Sequence, residues 1–180
     1  MITEKQALAL LEKYKLPDKI VEHCKAVSGK AGEVSERINA HGKAKVDCQK
    51  MRVAGLLHDI GKINFLKEDG KEENTIERHE LESGRILERE GLPEIADIVA
   101  RHGICAVIDS PVELTLEQKI IIYADANVVE DKRCNLKERY EYLIEKYGRG
   151  GRKENPIMFN LIKENWYKVD KLVNDVERLM

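Results

Sequence analysis

"DKIVEHCKAVSGKAGEVSERINAHG", residues 18–42, decides the fold class. Ile20, Cys24, Val27, Ala31, Val34 and Ile38 recur at spacings of three and four, which is the period of one buried face of an α-helix. Pro17-Asp18 opens the stretch and His41-Gly42 closes it. Outward from it the same period continues. Thr3 with Gln6 makes a capping box ahead of Ala7, Leu8, Leu10 and Leu11, and Thr115 with Gln118 repeats the signal. Further helices are expected near 46–60, 76–90 (closed by Gly91), 93–102, 115–131, 136–147 and 156–178. No run alternates apolar and polar residues over strand length with hairpin chemistry. The expectation is an all-α bundle of about seven to eight helices.

The 180 residues suit one domain spanning 1–180, with polar, glycine-bearing loops at 67–77 and 147–156 too short to divide it. Charged residues make up 36% of the chain and the net charge is −2, so there is no overall bias toward nucleic acid. The N-terminal MITEKQALALLEKYK lacks an uninterrupted apolar segment, so neither a signal peptide nor a membrane span is expected, and the expected address is the cytoplasm. Cys24, Cys48, Cys105 and Cys134 never form C-x-x-C and read as packing thiols of a reducing compartment. The last helix, with Trp166, Val169, Leu172, Val173, Val176 and Leu179, reads as a packing element or the face of a homodimer.

One stretch breaks the pattern of ordinary core. "GLLHDIGK", residues 55–62, follows the apolar Met51, Val53, Ala54, Leu56 and Leu57 with a histidine and an aspartate side by side. Adjacent helical positions point about 100° apart, so both can turn inward only if the helix ends there. His102 falls on the face of Ile95, Ile98 and Val99, and Asp125 on the face of Ile121, Val128 and Val129. His23 lies at the shoulder of the second helix's stripe, and His79 shares a face with Ser83, Ile86 and Leu87. An ionised aspartate aimed at a core costs several kcal/mol unless it is paired or metal-bound. Four histidines and two aspartates on five separate helices, all directed inward, make a donor set for divalent zinc, iron or manganese. Six donors exceed the needs of one tetrahedral ion, and a carboxylate can bridge two ions about 3.5–4 Å apart. His41, before Gly42 at a helix end, reads as a terminal cap outside this set.

The ordered series His23, His58-Asp59, His79, His102 and Asp125, with HDIGK intact and Asp125 inside IIYADANVV, resembles the HD-domain metal-dependent phosphohydrolases of the HDIG subgroup over residues 17–135, leaving C-terminal helices in 136–180. The resemblance implies that His23, His58, Asp59 and Asp125 hold one metal. His79 and His102 resemble the extra histidines of the dinuclear branch, where the aspartate of the HD pair bridges to a second ion. Glycine at 103 and the lack of a GYP segment depart from the cyclic-dinucleotide phosphodiesterases of the family.

Such a set suits hydrolysis of a phosphoester or phosphoanhydride of a nucleotide or related small molecule by metal-activated water, with two divalent ions drawn from Fe, Mn or Zn, or Mg, Co or Ni. Asp59 and Lys62 are the expected catalytic residues, with Lys62 also the first candidate for a phosphate contact, followed by Arg101 and Arg133. Gly61 is read either as clearing space beside the metals or as a helix stop, and the basic loop at 149–153 either as a phosphate contact or as a solvated loop. Two other functions fit the same residues: a di-iron oxygenase of HD type, and a silent nucleotide-binding regulatory module.

Overall fold

The computed structural model describes residues 2–66, 78–109 and 112–180, so the 67–77 loop lies outside the described residues. Among these, nine α-helices, one 3-10 segment and a two-stranded ribbon are present: α1 (Glu4–Lys13), α2 (Asp18–His41), α3 (Cys48–Leu57), the 3-10 segment Ile60–Phe65, α4 (His79–Arg89), α5 (Pro93–Val99), α6 (Ile104–Asp109), α7 (Leu116–Ala126), β1 (Val128–Val129), β2 (Lys132–Arg133), α8 (Leu136–Tyr147) and α9 (Pro156–Glu177). The all-α class is confirmed, and none of the helices is long and apolar enough to cross a membrane.

The stripe of α2 is the spine of the core: Cys24, Val27, Ala31, Val34 and Ile38 are fully buried. α3 packs hard against it, because Gly55 brings the two backbones together; a Cβ there would stand 2.6 Å from Ser28 Cα. α7 closes the core from the other side with Ile120, Ile121 and Ala124. α4 and α5 form a hairpin against the 3-10 segment and α3. α9 lies over α6, α7 and α8, and its stripe of Ile162, Val169, Leu172, Val173 and Val176 is buried inside the chain. That face therefore packs the chain's own helices.

Both expected capping boxes form, at Thr3 with Gln6 and at Thr115 with Gln118, and Asn135 with Glu138 adds a third. α2 ends on His41, whose Nδ1 meets Arg37 O at 2.9 Å, and Gly42 takes the left-handed φ of 68° that terminates it. All four cysteines are free, although Cys24 alone is fully buried.

Four expectations need correction. The helix expected at 93–102 stops at Val99, so His102 is carried by the turn beyond it. The helix expected at 46–60 ends at Leu57, and His58 and Asp59 sit on the joint to the 3-10 segment. The helix expected through 131 stops at Ala126, because Asn127 Nδ2 caps Tyr123 O at 2.8 Å and Glu130 turns the chain at φ 56°, making the β1–β2 ribbon. α6, Ile104–Asp109, was not expected at all: ICAVID is too short to show a period.

Candidate metal centre

Five elements deliver six side chains to one place. His23 comes from the first turns of α2, and His58 and Asp59 from the end of α3. His79 is the first residue of α4, His102 follows α5, and Asp125 ends α7. Asp59 is at the centre. Its Oδ2 lies 3.4 Å from His58 Nε2 and 3.6 Å from His23 Nε2, while Oδ1 lies 3.1 Å from His79 Nε2 and 3.5 Å from His102 Nε2. Two triads result, His23–His58–Asp59 and Asp59–His79–His102, each with donor atoms within 4.8 Å of one another. They share one carboxylate.

The outer hydrogen bonds settle what these imidazoles offer. Nδ1 of His23 donates to Glu130 O at 2.6 Å, Nδ1 of His58 to Gly55 O at 2.8 Å, and Nδ1 of His102 to Val99 O at 2.6 Å. A carbonyl only accepts, so each Nδ1 carries a proton and Nε2 is the ring nitrogen turned toward Asp59. His58 Nε2 and Asp59 Oδ1 are buried without a hydrogen-bond partner among the described residues. Lone pairs facing a carboxylate repel unless a cation stands between them, so the donor set fits one or more divalent ions.

Electrostatics set the histidines apart from one another. Burial pushes His58 down to about 3, keeping it neutral. Burial would raise the Asp59 carboxyl, but the Lys62 ammonium and the hydrogen bonds from His102 and His79 hold it well below its ordinary value. Asp125 is likewise held well below, against burial, by Arg139. Burial pushes His79 down, whereas for His102 the Asp59 contact outweighs burial and raises it.

Asp125 stands slightly apart from the triads: Oδ1 is 3.2 Å from His23 Nε2, and both oxygens are forked by Arg139 Nη2 at 3.1 and 2.9 Å. Lys62 pairs directly with Asp59 Oδ2 and lines the same cavity. Arg101 and Arg133 do not join them. Arg101 is half-buried but off the cavity wall, and Arg133, on β2, faces solvent and pairs with Glu33 at 2.6 Å. Gly61 lies inside the 3-10 segment and lets the start of α4 sit close: a Cβ there would run into His79 O and Ser83 N.

The cavity beside the cluster holds about 430 Å³, within the roughly 300–1,000 Å³ of small-molecule sites. Arg139, Lys146 and Lys153 line it together with Lys62. Arg139 and Lys146 escaped the sequence reading, although with Leu143 between them they mark one face of α8 at spacings of four and three. Of the basic loop, Lys153 reaches the cavity, whereas Arg152 pairs with Glu130 at 3.2 Å. Burial and the cations around it push Lys146 down to about 7, and burial takes Lys153 to about 8. Lys146 has no ion-pair partner among the described residues; its ammonium sits 5.1 Å from the centre of the Tyr147 ring.

The HD domain profile matches residues 20–127, the span that contains five of these elements. The chain belongs to the HD-domain family. That places it in a superfamily of metal-dependent phosphohydrolases. An uncharacterized protein of Methanocaldococcus jannaschii is 31% identical over 172 residues, covering 89% of this chain and 93% of the relative. A tRNA (cytidine(56)-2'-O)-methyltransferase of Thermoplasma volcanium is 29% identical over 148 residues, which are 75% of this chain but 39% of that protein. No solved structure matches the chain. For an HD domain, a pair of neighbouring His/Asp triads is the feature of this cluster that bears on chemistry.

Proposed function

We propose that this chain is a dinuclear HD-domain phosphohydrolase of the HDIG type, acting on a phosphoester or phosphoanhydride of a nucleotide or related small molecule. The observation that carries the reading is the sharing of Asp59 by two histidine pairs at the wall of a cavity lined with cations. His23, His58, Asp59 and Asp125 would hold one ion; Asp59, His79 and His102 would hold the other. Divalent ions bound there, with Fe, Mn and Zn the first choices, supply a water of lowered pKa and neutralise charge on the phosphoryl oxygens. Asp59 acts by keeping both sets of donors at one spacing. Arg139 orients Asp125 through its fork, and Lys62 is placed to reach a phosphate at the cavity wall. Lys146 and Lys153 take the part first given to Arg101 and Arg133.

Purified protein loaded separately with Mn, Fe and Zn, analysed for metal per chain and assayed against nucleotides, dinucleoside polyphosphates and simple phosphoesters, tests the reading. Turnover with two ions per chain is expected, and no turnover with any metal would overturn it.

Lys146 adds a pH dependence. Below about 7 its ammonium is present in the free protein; as pH rises through that value the free amine must recapture a proton when a phosphate binds. A phosphate monoester is already dianionic above about pH 6, so it does not titrate in this window. KM is therefore expected to climb between pH 7 and 9, and Lys146→Arg, which stays charged, should flatten the rise below pH 8. A wild-type KM independent of pH in that range would refute the assignment.

A further inference from the structure

The cavity lining is of two kinds. One is the metal cluster with Lys62, Arg139, Lys146 and Lys153. The other is the face of α9 that carries Met158, Leu161, Ile162, Trp166 and Val169, joined by Leu143 of α8, which sits between Arg139 and Lys146 on its own helix. These six side chains carry no charge, and their one conventional hydrogen-bonding atom, the indole Nε1 of Trp166, only donates. Nearby Asn155 is committed on its Oδ1, which caps Met158 N at 3.1 Å. A body held against α9 is recognised by area and shape, since these six side chains have no acceptor to read an amino or hydroxyl group, and the carboxylate of Glu80, which also lines the cavity, is paired with Arg78.

We propose that this compartment takes the organic group of the phosphate compound, and that it selects for an apolar or flat body without reading polar edges. Charge complementarity fixes the orientation: the phosphate goes to the lysines and metals, and the organic group is left facing α9. The substrate class is then a phosphate compound with an apolar or aromatic organic group, and among nucleotides the choice of base matters little. Hydroxyl-rich sugar phosphates fit poorly, because their hydroxyls would lose water against a wall that returns few hydrogen bonds. The inference rests on the phosphohydrolase reading for the location of the phosphate, and the test separates the two.

Trp166 is the single tryptophan of the chain, so its emission reports on this wall directly. Propylphosphonate, hexylphosphonate and 2,3-dihydroxypropylphosphonate have a C–P bond that phosphoester hydrolysis leaves intact. They would be titrated into metal-loaded protein by Trp166 emission and by calorimetry. Each buried methylene is expected to tighten binding roughly threefold to fourfold. Hexylphosphonate should thus bind at least tenfold tighter than propylphosphonate and shift the emission, and the dihydroxypropyl compound should bind weakest. AMP, GMP, CMP and UMP should agree within about fivefold. Leu161→Gln should shrink the hexyl-to-propyl ratio, and the wild-type series stands alone if that variant melts early. Equal binding of the dihydroxypropyl and hexyl compounds, an emission unmoved by hexylphosphonate, or a hundredfold preference for one base would each overturn the proposal. If the phosphonates rank as expected but no phosphate compound is hydrolysed, the hydrolase reading fails and the compartment stands; hydrolysis without the ranking gives the reverse.

Discussion

Asp59→Asn is expected to strip both ions from the cluster and to lower turnover by about 10³-fold or more, beyond the roughly 10–100-fold that follows loss of an outer partner of a metal ligand. The variant has nearly the same shape, so the effect isolates the charge. Asp59 puts one oxygen within 3.6 Å of His23 and His58, and the other within 3.5 Å of His79 and His102. Among the described residues no neighbouring carboxylate is free to replace it. Asp125 approaches on the His23 side, at 3.2 Å, and is forked by Arg139. Glu80 reaches Nδ1 of His79 at 3.7 Å and is paired with Arg78. His79→Ala, by contrast, touches one triad and should leave one ion bound. Metal analysis after loading separates the cases: two ions retained by Asp59→Asn would sink the shared-carboxylate assignment.

How much of this could be read from sequence depended on how local each feature is. His23, His79 and Asp125 lie on helices whose apolar spacing is clear, so their inward aim followed from periodicity alone. His102 was placed inward for the wrong local reason: its helix has ended, and the turn brings it in with its Nδ1 held by Val99 O. Arg139 and Lys146 were invisible as site residues because their partners are distant in sequence, whereas Lys153 belongs to the basic loop at 149–153 for which a phosphate contact was one of two readings. Asp125 lies 14 positions before Arg139, and the cavity exists only once α8 and α9 fold over α7. Arg101 and Arg133, by contrast, lie off the cavity lining. Nearness in sequence to a ligand says little about reach, and β2 turns Arg133 toward Glu33.

Gly61→Ala is expected to destabilise the protein by about 1–3 kcal/mol, the cost of forcing extra volume into a packed contact. At roughly 2–4 °C per kcal/mol for a chain of this size, the loss is readable as a fall in Tm. The added methyl has nowhere to go. It would meet two backbone atoms, His79 O and Ser83 N, and lie 2.8 Å from Ser83 Oγ, which already accepts from Gly61 N at 2.9 Å. Backbone gives way less readily than a flexible side chain, so the start of α4 must move, and His79 is its first residue. The variant should therefore weaken the Asp59–His79–His102 triad while leaving the His23–His58 side in place. Gly29→Ala is the control, since a Cβ at that helical position meets nothing within 4 Å and helix propensity favours alanine by about 1 kcal/mol. If Gly61→Ala melted with the wild type and kept the same metal content, the tight seat of α4 on the HD joint could not be what holds His79 in range of Asp59.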